Sequence, residues 1–220
     1  MLRRLHRAWA HSQVHALRSS LRTIWRLHVY GRSRIVLFAG PIGPATPDHG
    51  ADGITFGPAT TEDLAAMPAL RAFDHDAPWL WVARHSGRVV GYRRVATRFP
   101  DGMLEAVAPA RPGRIFTVEV FVSPEYREHR VALRLGREHN WHLAQTVGAT
   151  EAVSCVDASN VASLRLTLRV GYRPIAFVDT FRCLRRHRYT VSPTMPPDVQ
   201  HVVDAFDQSR DPARDRRRSP

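Results

Sequence analysis

The sequence predicts a mixed α/β domain, a mostly antiparallel central sheet flanked by helices, with an N-terminal amphipathic helical extension. Three observations predict it. Between residues 54 and 191, strand-like and helix-like runs alternate in the order β-α-β-β-β-α-β-α-β, a meander followed by a crossover. The alternating run Ile115-Phe-Thr-Val-Glu-Val-Phe121 stops at Ser123-Pro124 and restarts as a helix, so one strand feeds straight into a helix start. The length, 220 residues, suffices for one good-sized core plus extensions.

The elements follow in order. Leu2, Leu5, Trp9, Leu17, Leu21, Ile24, Trp25 and His28 recur at helical steps, with Arg3, Arg4, Arg7, Arg18, Arg22 and Arg26 elsewhere, giving one amphipathic helix or two over 2–29. Such a helix packs on the domain or on a second copy in a homodimer, or it lies on anionic lipid through Arg and Trp as a peripheral membrane contact. Arg34-Ile-Val-Leu-Phe38 is a short strand, and the Pro/Gly stretch from Pro41 divides an extension (1–50) from a domain (51–193). Ile54–Phe56 is a strand, and Thr60-Thr-Glu-Asp63 suits the capped start of a helix. Trp79–Arg84 and Arg88–Arg93 flank the turn His85-Ser-Gly87 as a hairpin, and 97–113 is a Pro/Gly-rich loop. After strand 115–122 comes helix 125–147, ended by Gly148. Strand Ala152–Val156, helix Asn160–Val170 with Gly171 as its stop, and one or two strands over Pro174–Val191 close the domain. The charged Arg/Asp/Pro tail, 194–220, is expected to be disordered.

Charge and cysteine usage narrow the function classes. The formal charge is +12, yet all 32 basic residues are arginine, a codon-bias signature, and much of the excess sits in 1–34 and 210–220. Nucleic-acid binding through clustered cations is therefore disfavoured. Cys155 and Cys183 form no CxxC and no zinc-like pattern with His, so no metal is expected and both read as plain thiols of a reducing, cytoplasmic setting. No run approaches 18 apolar residues.

Where strand 115–122 meets its helix, the sequence reads Val122-Ser-Pro-Glu-Tyr-Arg-Glu-His-Arg-Val-Ala132. Free amides at a helix start bind anions, and arginines help; a solvated basic helix is the bland reading. Together with Asn160-Val-Ala-Ser163 running to Gly171-Tyr172, this stretch resembles the GNAT acyltransferase superfamily over about 54–190. The resemblance implies a GNAT-like fold and transfer of an acyl group from acetyl-CoA or another acyl-CoA, as co-substrate, to a small-molecule or peptide amine. It implies that Arg127, Glu128, His129, Arg130, Val131 and Ala132 hold the pyrophosphate, with Arg130 standing where the family has its first glycine. Helical φ/ψ is open to Arg, so the loop is expected to form with the guanidinium over the phosphates. It further implies that Val120, Phe121 and Val122 bond the pantetheine arm through their backbone, that Asn160 and Ser163 flank it, and that Thr167 occupies the usual place of a tyrosine acid.

Acyl transfer needs a base for the acceptor amine. Glu119 lies five residues before Pro124 among Val118, Val120 and Phe121, surroundings expected to raise its pKa and suit it to work through water. His75, Asp76 and His85 either border the acceptor cleft or are surface groups, and Trp79 and Trp81 read as core. The basic run Arg182–Arg188 either attracts an anion or is a solvated strand edge. Two other functions stay open: transfer of a longer acyl chain, from acyl-CoA or an acyl carrier protein, to an amino acid, sugar or peptide, and a non-catalytic acyl-CoA-binding module.

Overall fold

The computed structural model describes residues 30–43, 53–67, 79–99, 102–183 and 186–209. Eight strands form one sheet: β1 (Tyr30–Pro41), β2 (Ile54–Pro58), β3 (Trp79–His85), β4 (Arg88–Ala96), β5 (Arg114–Val122), β6 (Glu151–Asp157), β7 (Arg173–Cys183) and β8 (Arg186–Ser192). Among the described residues five α-helices flank it: α1 (Thr61–Ala66), α2 (Gly102–Val107), α3 (Val131–Val147), α4 (Val161–Val170) and α5 (Pro197–Ser209). The spatial order is β2-β3-β4-β5-β6-β1-β7-β8, and β5–β6 is the parallel pair in an otherwise antiparallel sheet. The mixed, mostly antiparallel fold read from the sequence is the observed one.

Period-two alternation sorts the strands between two faces. Val36, Phe38, Val95, Ile115 and Ala152 turn toward α3, α4 and α5, meeting Leu143, Leu164, Leu168, Val199 and Val203. Their neighbours Leu37, Phe116 and Val153 turn the other way, onto Phe99 and Leu104 of the α2 segment. Nearer β2, Trp81, Ala83 and Val122 meet Val131 and Leu135 of α3, while Val82 and Tyr92 pack with Leu64 below α1. The hairpin turn, the Thr60–Asp63 capping box and the Gly148 and Gly171 stops fall as expected.

Three expectations are corrected. The strand at 34–38 is not part of an appendage: β1 lies inside the sheet, antiparallel to both β6 and β7. Its Ile35–Phe38 run is apolar on both faces, as a strand covered on both faces must be, and Val36, Leu37 and Phe38 are fully buried. Gly40 permits this wedge, since a Cβ there would come within 2.6 Å of the Tyr172 ring. The tail is not disordered from residue 194, because α5 spans Pro197–Ser209 and buries Val199 and Val203, four apart on one face. Its acids are tied back through Arg34–Asp198 and Arg173–Asp207. The loop over 97–113 contains α2. The N-terminal amphipathic segment, His75, Asp76 and the tail beyond residue 209 lie outside the described residues.

Candidate active site

The sheet forks at one point. β5 and β6 pair in parallel only from Arg114↔Glu151 to Thr117↔Ser154. Beyond that, β6 continues along β1 and β5 continues along β4, so one edge of Val118–Val122 has no β6 partner. At the same point the β4–β5 register jumps, with Arg94 opposite Glu119 but Val95 opposite Thr117, leaving Val118 as a bulge. The Ser123 amide donates to Val90 O on the β4 side at 2.9 Å. Alternation therefore turns the backbone groups of Val122 and Val120 into the fork. Arg127 Nε reaches the Val122 carbonyl there at 3.3 Å.

The strand runs from the fork into a 3-10 turn, Pro124–His129, and then into α3. The turn and helix join at Arg130, which adopts the left-handed conformation, φ 56° and ψ 19°. This corrects the expected helical φ/ψ: glycine is favoured at such a position for its conformational freedom as well as its small size. The side chain of the N-cap residue, Arg130, makes no capping bond to α3. The first-turn amides, Val131 and Ala132 among them, have no carbonyl partner within their own helix. Free amides at a helix start are suited to an anion. His85 lies beside it, its Nδ1 3.0 Å from the Tyr126 hydroxyl, and thus borders the turn.

Glu119 emerges just after the bulge. Its surroundings differ from the apolar ones expected: the side chain is 40 % exposed and faces two polar groups of β4. The Tyr92 hydroxyl donates to Glu119 Oε1 at 2.8 Å, and Arg94 Nη1 lies 3.8 Å from Oε2. Burial, and then the bond to Glu119, push the Tyr92 phenol up to about 12. Neither partner was named from the sequence. Alternation puts 92 and 94 on one face, but only the observed register, with its bulge, sets them beside 119.

Beneath the fork, on the α3 face, Arg93 is buried. Its guanidinium donates to Gly136 O (3.2 Å) and Asn140 Oδ1 (2.8 Å) on α3 and to Thr117 Oγ1 (2.7 Å) on β5. Asn140 Nδ2 in turn donates to the Tyr172 hydroxyl at 2.8 Å. These bonds tie β4 to α3 and to the last paired residue of β5, fixing where the fork opens. Burial pulls the Arg93 pKa down, with Tyr172 opposing. Trp81 is core, as expected, stacked on His139 with ring centres 5.2 Å apart.

The second motif is held by local bonds. Asn160 Oδ1 accepts from the Ser163 amide as the N-cap of α4 (3.1 Å), and the buried Thr167 hydroxyl donates to Ser163 O (2.9 Å). Glu119 and Val120–Val122 thus meet the Arg127–Ala132 turn along one continuous stretch, while Thr167 is turned into its own helix. The basic run falls at the β7–β8 connection, where Arg182 pairs with His187. Cys155 is a half-buried thiol. Among the described residues no group of His, Cys, Asp or Glu is placed to hold a metal ion, and no helix is long and apolar enough to cross a membrane.

Residues 52–172 match the acetyltransferase (GNAT) family. No curated protein matches the chain. Among solved structures, a GCN5-related N-acetyltransferase from Sphaerobacter thermophilus aligns with 79 % of this chain and 55 % of its own, at 19 % identity and a TM-score of 0.47. The tandem GNAT protein from the clavulanic acid biosynthesis pathway, without AcCoA, aligns with 77 % of this chain and 56 % of its own, at 13 % identity and a TM-score of 0.50. Arabidopsis thaliana NAA60, in complex with acetyl-CoA, aligns with 55 % of this chain and 84 % of its own, at 17 % identity and a TM-score of 0.43. The chain spans about half the length of the first two. At these identities the likeness is one of fold.

Proposed function

The chain belongs to the acetyltransferase (GNAT) family, and from that premise we propose that it is an acyl-CoA-dependent N-acyltransferase, most simply moving acetyl from acetyl-CoA to a primary amine. One observation carries the reading: the β5 edge that β6 leaves beyond Thr117 leads directly to a helix start that its N-cap side chain, Arg130, does not cap. These residues fit the co-substrate. Backbone groups of Val120 and Val122 would bond the pantetheine arm, and the amides of Val131 and Ala132, with Arg127 and Arg130, would hold the pyrophosphate. When bound, acyl-CoA supplies the thioester carbonyl that the amine attacks.

Glu119 would take the acceptor's proton, through water, since its carboxylate is half-open to solvent at the fork. Thr167 is assigned no proton transfer in this reading, because its hydroxyl proton already serves Ser163 O. A thiol with a pKa near ~8.5 leaves tolerably as thiolate without that help. Asn160 and Ser163 act through α4, whose start they cap. The committed Thr167 proton is also what favours a second reading, a module that binds acyl-CoA without turning it over.

Calorimetry with coenzyme A, joined to free-thiol release across pools of amines, aminosugars and peptides, tests both. Glu119→Gln should lose ~10²–10⁴-fold in rate at neutral pH with coenzyme A affinity nearly intact. Higher pH should restore part of the loss as the amine deprotonates itself. An unchanged rate removes Glu119 from the chemistry; binding without turnover in the parent chain leaves the module; absence of binding removes the site.

A further inference from the structure

We propose that Tyr92 is a positioning residue for the acyl transfer: its phenol O–H fixes Oε1 of Glu119, so that the carboxylate is presented to the acceptor's proton in one orientation. The inference rests on the reading of Glu119 as the base. A half-exposed glutamate on a strand ordinarily samples many rotamers, and fixing it costs entropy. Here the ordering is supplied by a neighbour held by its own packing. The Tyr92 ring is buried, stacked on Phe121 with centres 5.4 Å apart, and packed with Val82 and Leu64. Its oxygen meets Oε1 at 2.8 Å.

Arg94 does a different job. At 3.8 Å from Oε2 it attracts the carboxylate, but the separation is too long for a directed hydrogen bond. Tyr92 and Arg94 are the ionisable groups of β4 that face Glu119. On α1, packed against the same face, Asp63 is already held by Arg84 and by the Thr60 capping box. The directional contact at Glu119 is thus the phenol's. With its own ionisation near 12, the phenol stays a donor throughout the neutral range. The register beside the bulge at Val118 makes the contact possible, because it sets Arg94, two residues on from Tyr92 and on the same face, opposite Glu119.

The test uses the full chain and the variants Tyr92→Phe and Glu119→Gln. Removing the phenol O–H takes a donor from the charged carboxylate. The carboxylate should then sample other orientations, with roughly a ten-fold fall in kcat at unchanged KM and unchanged coenzyme A affinity. A second measurement needs no acceptor. Phenol ionisation, followed by ultraviolet difference absorbance with Tyr92→Phe as the blank, should drop below about 12 in Glu119→Gln. A phenol titration unmoved by Glu119→Gln shows that the bond is not made and overturns the proposal. If Glu119→Gln is slow while Tyr92→Phe keeps the parent kcat, positioning alone falls. If Glu119→Gln keeps the parent rate, the base reading falls and positioning with it.

Discussion

At Arg130 a side chain sits where the backbone asks for none. A left-handed residue other than glycine carries about 1–2 kcal/mol of steric cost, partly offset because arginine has less unfolded-state freedom to lose than glycine. Arg130→Gly is expected to raise stability by about 0.5–1 kcal/mol, read as a higher denaturant midpoint at unchanged slope. This strain was invisible in the sequence, because a positive φ announces itself only through Gly or Asn. His139 is a second residue with a measurable consequence. Burial, and then the neighbouring Arg93 and His142, hold its pKa well below the usual 6.5. The folded pKa is thus depressed, and below pH 6.5 the unfolded chain binds a proton that the folded chain refuses. Stability should be level above pH 7 and fall as the pH drops through 6.5, with a slope from this group of up to about 1.4 kcal/mol per pH unit. Urea titrations from pH 8 to 5 check this, and His139→Phe, which keeps a ring against Trp81, should flatten the slope.

Among elements, those with a local signal were legible and those defined by distant partners were not. The β3–β4 hairpin, the α1 capping box and the glycine stops of α3 and α4 are written in neighbouring residues. The rank of β1 is not, because the strands that flank Val36, Leu37 and Phe38 on both edges lie more than a hundred residues away. Likewise α5 hides its Val199–Val203 face in a charged segment, and composition outweighed spacing in the reading of it. A chain begun at Asp52 is therefore expected to fail, although the family match starts there. Deleting β1 removes three side chains worth ~1.5–3 kcal/mol each and leaves β6 and β7 unpaired, against a total stability of about 5–15 kcal/mol. Far-ultraviolet circular dichroism and solubility measurements decide it. A soluble, cooperatively melting fragment would mean that another segment replaces β1.

For the molecule as a whole, the succession of elements from β2 to β7 could be anticipated, and with it the passage from strand to helix after Val122. The fork, the bulge and the β4 partners of Glu119 could not, because register is a property of pairs of strands. The family match ends at Tyr172, yet β1, β7, β8 and α5 complete the sheet and its cover, so the folding unit extends beyond the matched segment on both sides.

The place of β1 also sets a clock. During synthesis it is the first described strand to emerge, while β6 and β7 follow after more than a hundred further residues. At ~5–20 residues per second that is a wait of several seconds or more, with an apolar segment open on both edges. Refolding from denaturant should accordingly be slow, with β1 and β6 amides acquiring exchange protection together and after the β2–β5 meander. Yield should fall with protein concentration, and pulse-labelled hydrogen exchange can time the closure. Protection of β1 ahead of β6 would show that the first strand finds a temporary partner while it waits.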